Sequence, residues 1–258
     1  MNTPALRLVA GLKAPLEPPP PAAVRFGCDG VDAVCGGGLA AGTHQIAGLG
    51  AAVLGFGLAL SARVLALAPG ARVLLVQAQE AGCEGGHVYA PGLHALGLDP
   101  DRVGVAQVRT GTEALRVVDE ALRSGAVAAV LADLGHAPRL DLSVTRRFNL
   151  SARRSGALAL MLTLDLDSTS AALTRWRVEP RVSRGRRRRL GRPAFGLALM
   201  RNRLGPTGEW TLEWDSDDRL FRPAAPLSAP VARPAVDRPD SARPAAAGDA
   251  PGAYREAS

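Results

Sequence analysis

The sequence predicts an α/β fold, with a mostly parallel sheet covered by helices, antiparallel strands near its C-terminal end, and disordered tails at both ends. Three observations carry this expectation. Short apolar runs of strand type alternate with helical patterns from Thr43 to Leu164, the signature of strands joined by helical crossovers. The first of those strands runs into a glycine-rich turn that opens a helix. Beyond Leu164 the helical period disappears and three strand-like pieces follow, two of them joined by the turn Gly205-Pro206-Thr207-Gly208.

In order along the chain, Thr43 to Ala47 is the first strand and Val53 to Ala66 the helix behind the turn. Arg72 to Val76 is a short buried strand, and Tyr89 to Leu96 reads as a helix stopped at Gly97. Val103 to Val108 is a strand. The helix Gly111 to Ser124 turns Leu115, Val118, Ala121 and Leu122 to one face and closes at Gly125. Val127 to Asp133 is a strand ending in a carboxylate, Ser143 to Ser155 a helix, and Leu158 to Leu164 the next strand. The antiparallel pieces are Thr174 to Glu179, Ala194 to Arg201 and Glu209 to Trp214; no internal repeat is visible. Three regions result: a proline-rich leader over 1–23, one folded domain over 24–222, and a Pro/Ala-rich tail over 223–258 with too little apolar surface to offset the entropy of ordering.

The glycine-rich turn is the motif closest to chemistry. A phosphate-cradling loop reads G-x-x-x-x-G-K-[ST]: glycines let backbone N–H groups approach the phosphates, lysine neutralises charge, and the hydroxyl ligates magnesium. Gly50 and Gly55 keep the glycine spacing, with Gly48 just before them, but Phe56 and Gly57 stand where lysine and Ser/Thr belong. One lost charge-assisted contact costs about 1.5–3 kcal/mol. The expected result is a P-loop architecture without ATPase chemistry, a non-enzyme with no required cofactor, ATP and magnesium being the only candidates.

Composition adds a positive field confined to one region. The chain has 258 residues and a net charge of +7, and all of its basic residues but Lys13 are arginine. Residues 1–143 are net −2, residues 144–222 net +9 and residues 223–258 neutral. Such a field fits a surface that meets nucleic acid or an acidic partner, or a solvated arginine-rich face. Its densest part, Arg184, Arg186, Arg187, Arg188, Arg189 and Arg192, is expected on an exposed hairpin loop that binds DNA phosphates or an acidic protein surface; a purely solubilising loop is the alternative. Cys28, Cys35 and Cys83 form no C-x-x-C pair, which fits a reducing cytosol, so a cytoplasmic protein is expected. The spacing of Cys83, His87 and His94 matches no standard zinc pattern, and no metal site is expected. The apolar stretch Ile46 to Ala62 is short and Gly/Ala-rich, which favours a buried helix over a membrane span.

From residue 25 to 215 the chain resembles the RecA-like recombinase fold, and within it the ImuA family. The residues that carry the resemblance are Gly36-Gly37-Gly38-Leu39; Tyr89-Ala90-Pro91-Gly92-Leu93 with Leu96 to Pro100; Glu120 to Gly125; and Asp141-Leu142 with Arg146-Arg147 and Ser155-Gly156. Arg175 to Val178, Gly208-Glu209-Trp210 and Glu213-Trp214-Asp215 complete the set. The resemblance implies a non-catalytic accessory protein of SOS-induced error-prone translesion synthesis and DNA damage tolerance. Its implied partners are a Y-family polymerase-like subunit, an error-prone replicative-type polymerase and RecA, with DNA as a further candidate and no membrane. The alternatives are a RecA-superfamily DNA-dependent ATPase or recombinase, and a regulatory SOS inhibitor that never touches DNA. The resemblance also implies roles for single residues. Asp133 takes the place of a magnesium-holding carboxylate, or else caps the turn at Gly135; Gln79 and Glu80 stand near the place of a water-activating glutamate. Arg201, Asn202 and Arg203 stand where basic residues reach a nucleotide across a subunit boundary. Trp176, Trp210 and Trp214 are expected to anchor the core or an interface.

Overall fold

The computed structural model describes residues 7–9, 23–48, 50–79, 88–134, 140–164, 166, 169–183 and 191–224, of which 7–9 by backbone alone. All belong to one compact unit, Met1–Ala224; the tail from Ala225 onward lies outside the described residues. The strands are β1 (Arg7–Val9), β2 (Ala23–Val24), β3 (Leu39–Ala40), β4 (Gly42–Ala47), β5 (Val73–Ala78), β6 (Val103–Val108), β7 (Ala129–Asp133), β8 (Leu158–Thr163), β9 (Thr174–Arg181), β10 (Ala194–Asn202), β11 (Gly208–Asp215) and β12 (Leu220–Pro223). The helices are α1 (Asp29–Val34), α2 (Ala51–Leu67), α3 (Ala90–Ala95), α4 (Gly111–Ser124) and α5 (Leu142–Ser155).

Ten strands form one sheet in the order β1-β6-β5-β7-β8-β4-β9-β10-β11-β12, and β2 pairs with β3 apart from it. Strands β6, β5, β7, β8, β4 and β9 are mutually parallel, whereas β10, β11 and β12 continue the sheet by antiparallel pairing. The predicted α/β class, with its parallel core and antiparallel end, is therefore present, with one correction: the strand over Thr174–Arg181, expected among the antiparallel pieces, runs parallel to β4, and antiparallel pairing begins only at β10. Three residues of the leader, Arg7–Val9, add an antiparallel edge strand on β6 that the proline-rich composition gave no reason to expect. The chain also adds α1 and β12, neither of which carries a strong pattern in its few residues.

Local chemistry explains where the outer helices begin and end. The Thr110 hydroxyl accepts from the amide of Glu113 at 3.3 Å while the Glu113 carboxylate accepts from the amide of Arg109 at 2.9 Å, a reciprocal arrangement akin to a capping box. Gly125, at φ 65°, terminates α4 in the left-handed conformation. In α5, Asp141 accepts from the amide of Val144 at 2.7 Å.

The sheet separates two cores. On one face α4 and α5 cover Val76, Val130, Ala159 and Met161, with Val118, Leu122 and Phe148 pointing inward. On the other, α2 and α3 cover Leu75, Leu131, Leu160 and Leu162, and this core extends beneath the antiparallel strands. Phe26, Phe56, Trp176, Phe195 and Phe221 meet there with ring centroids 5.4–6.5 Å apart, and Trp214 packs 4.8 Å from Phe221. Trp176 and Trp214 are core anchors as expected, and Trp210 is partly buried against Trp176.

Candidate functional site

In a parallel sheet with helices on both faces, ligands bind beyond the carboxyl ends of strands whose following helices leave to opposite faces. Here β4 leads into α2 on one face and β7 leads toward α5 on the other, with β8 between them. The carboxyl ends of β4, β8 and β7 define the candidate site, and both the glycine turn and Asp133 lie along it.

The turn is shorter than a phosphate loop. Strand β4 ends at Ala47, Gly48 and Gly50 adopt positive φ (154° and 68°), and α2 begins at Ala51. A side chain at Gly48 would collide with the carbonyl of Val178, so only glycine lets the chain pass so close to β9. The four residues that separate Gly50 from Gly55 are already helical. The expected loop between those two glycines is thus replaced by the first turn of α2, and Gly55 faces the Phe195 ring from within the helix. The two residues at the lysine and hydroxyl places face the core. Phe56 is fully buried in the aromatic cluster, and a Cβ on Gly57 would lie 2.6 Å from a Leu131 methyl group. The glycine spacing is preserved while the loop it would build is absent, because Ala51, Ala52 and Leu54 are good helix formers and the buried phenyl ring fixes the helix against the sheet.

Asp133 ends β7 half-buried, in register with Gln77 of β5, which is in turn beside Gln107 of β6. All three residues take part in interactions with their surroundings. They share the sheet face that α2 covers, since Leu131 and Leu75, two residues earlier on their strands, belong to that core. On the opposite face, buried Gln45 donates to the Thr163 hydroxyl at 3.3 Å. The ends of β4, β7, β5 and β6 therefore carry a row of neutral amides with one carboxylate, and the neighbouring cations come from β9, where Arg175 is in register with Gln45 and Arg177 with Ala47. Gln79 is exposed just past β5; Glu80, Gly135, Cys83 and His87 lie outside the described residues, and His94 is exposed on α3.

The predicted arginine cluster divides. Arg184, Arg186, Arg187, Arg188 and Arg189 lie outside the described residues, between the antiparallel neighbours β9 and β10. Arg192 is described, and its guanidinium is 2.8 Å from the buried carboxylate of Asp215, which also accepts from Arg222 at 3.0 Å and from the amides of Asp217 and Asp218. Burial alone would raise the pKa of Asp215. The hydrogen bonds from Arg222 and the two amides, with the charge of Arg192, outweigh that and hold it below the usual carboxylate range. Arg201 is exposed beside a bulge in β10. Arg203 is also exposed, but its guanidinium is tied down, donating to the carbonyls of Ala172 at 3.1 Å and Ser170 at 3.2 Å, and Asn202 donates to the carbonyls of Val34 and Pro206. The three residues at this strand end thus point three ways.

Sequence reasoning missed three buried polar residues that hold the scaffold. The Asp32 carboxylate accepts from the amides of Phe26 at 2.6 Å and Gly27 at 3.1 Å, pinning the entry strand. His44 lies 2.7 Å from the Thr174 hydroxyl and 2.8 Å from the carbonyl of Ala40. Trp176 donates to the same hydroxyl at 2.7 Å, leaving the Thr174 proton for His44 Nδ1 and making the ring the neutral Nε2–H tautomer. Asp215 is the third. None of these carries a spacing signal, because the partners are backbone groups, residues distant in sequence or, for Arg222 on Asp215, a residue across the β11–β12 hairpin.

Comparison with known proteins places these features in context. Protein ImuA of Caulobacter vibrioides, from strains NA1000 and ATCC 19089, is 32% identical over 143 residues, covering 49% of this chain and 56% of each relative. Over about half its length this chain is similar to Protein ImuA. The resemblance to the ImuA family is thereby borne out, and the chain spans little more than half the length of the curated relatives it matches. No protein-family model matches the chain. Among the described residues no helix is long and apolar enough to cross a membrane.

Proposed function

We propose that this chain is a RecA-like, non-catalytic accessory protein of SOS-induced error-prone translesion synthesis and DNA damage tolerance. The similarity to Protein ImuA supports that role. The parallel core, with a glycine turn after β4 and a carboxylate ending β7, supports the RecA-like reading of the fold. In this reading the protein is a scaffold. It acts beside a Y-family polymerase-like subunit, an error-prone replicative-type polymerase and RecA, and it meets DNA through Arg184 to Arg189 and the exposed Arg201.

The observation that carries the non-catalytic part is the start of α2 at Ala51 with Phe56 in the core. A nucleotide triphosphate needs donors and a cation converging on its β and γ phosphates. Here the lysine place is filled by a buried phenyl ring. Calorimetric titration of the purified chain with ATP and magnesium tests this directly. The expected result is no heat of binding and no phosphate release; saturable binding, weakened by Asp133→Asn, would instead favour a RecA-superfamily ATPase.

A further inference from the structure

We propose that the outer face of α5 is a docking surface for an acidic, amphipathic helical segment of a partner protein, a proposal that does not rest on the role given above. Helix α5 buries Thr145, Phe148 and Ala152, and Asn149 accepts from the amide of Thr43. Its opposite side exposes Arg146, Arg147, Leu150, Arg153 and Arg154. From Arg146 these fall at i, i+1, i+4, i+7 and i+8, a single stripe about 12 Å long.

Two features distinguish this stripe from an ordinary solvated face. One is its unbalanced charge. Helix α5 contains no acidic residue; of its arginines only Arg147 finds a carboxylate among the described residues, that of Asp119 at 3.4 Å, which it shares with Arg123 at 2.9 Å. Arg146, Arg153 and Arg154 form no ion pair among the described residues. Arginines in a last turn complement the helix dipole, which accounts for Arg153 and Arg154 but not for Arg146 two turns earlier. The other feature is apolar. Leu150 is 51% exposed in the middle of the arginines, and Leu142 is 38% exposed at the start of the same helix.

A leucine ringed by arginines matches the anatomy of a protein interface, with an apolar centre, a charged surround and arginine enriched. A phosphate backbone gains nothing from that leucine, which favours a protein over a nucleic acid. The complementary occupant carries carboxylates at helical spacing around an apolar side chain that seats on Leu150. Its charge steers the encounter and the apolar contact fixes the register.

The test uses the full chain and a fluorescein-labelled amphipathic helix of Glu, Ala and Leu, about sixteen residues long so that it spans the stripe. Anisotropy should show saturable binding. The Arg146→Glu/Arg153→Glu/Arg154→Glu variant should weaken it by about tenfold or more, and Leu150→Asp by about fivefold. Surface substitutions of this kind change stability little, and circular dichroism melts would verify that the variants are folded. A labelled duplex DNA run in parallel should be insensitive to Leu150→Asp. Absence of peptide binding by the wild-type chain, or wild-type binding by Leu150→Asp, would overturn the proposal. So would DNA that displaces the peptide and depends on the same arginines, which would make the face a nucleic-acid interface.

Discussion

His44 shows how one buried residue ties this fold to pH. It is 1% exposed, and burial pushes its pKa down from 6.5 to about 4, although the hydrogen bond to Ala40 works the other way. The folded chain therefore holds the ring neutral where the unfolded chain would protonate it. Its contribution is complete above about pH 6.5 and is lost as pH falls toward about 4, a change on the order of 3 kcal/mol. Thermal melts should accordingly show stability falling across that window. In His44→Gln the baseline is lower but the slope there should largely vanish; equal slopes in both proteins would assign the acid sensitivity elsewhere. Asp215, with its depressed pKa, adds a loss only at lower pH, which separates the two effects.

At the scale of the element, α2 decides the character of the candidate site. Its start at Ala51 turns a glycine spacing that looks like a phosphate loop into the first turn of a helix, and Phe56 locks that choice by packing on Phe26, Trp176, Phe195 and Phe221. Restoring the lysine of the motif should therefore not restore nucleotide binding. Phe56→Lys is expected to destabilise the chain by about 3–5 kcal/mol, the loss of a buried aromatic plus an unpaired buried charge, with no gain of ATP affinity. A denaturant midpoint unchanged by this substitution, or ATP binding acquired with it, would contradict that account. Element boundaries were largely readable: Val103–Val108 and Gly111–Ser124 fall where apolar period, cap and glycine place them. Strands β1 and β12 were not, because short edge strands owe their existence to pairing with a neighbour and not to a pattern of their own.

At the scale of the whole molecule the positive charge is regional. Residues 144–222 hold a net +9 within a chain of +7, and they comprise α5, the antiparallel strands and the arginine run between β9 and β10. If the chain meets DNA through that run, affinity should fall steeply with salt, by about 0.9 log units per log unit of salt for each phosphate neutralised. Replacing Arg186, Arg187, Arg188 and Arg189 with serine should flatten that dependence, whereas Arg203→Ser should not, since its guanidinium is committed to the carbonyls of Ala172 and Ser170. A salt slope equal in wild type and in the fourfold variant would move any DNA contact off this segment.

The parallel pairing of β9 with β4 was not legible in the amino-acid sequence, which was sufficient for the α/β class, a parallel core followed by antiparallel strands, the missing lysine and hydroxyl, and the resemblance to the ImuA family. Those properties rest on local periodicity and on which residues are present, and neither depends on where distant segments come to lie. Only the tertiary structure decided that the residues between Gly50 and Gly55 are helix, that Arg192 serves Asp215, and that the Arg203 guanidinium is bound to the carbonyls of Ala172 and Ser170. It also brought Gln77 and Gln107 into register beside Asp133 and left Leu150 exposed among arginines. Each of these is a pairing between residues far apart in the chain or a choice of side-chain direction. Long-range contacts settle such choices, and spacing along the sequence does not encode them.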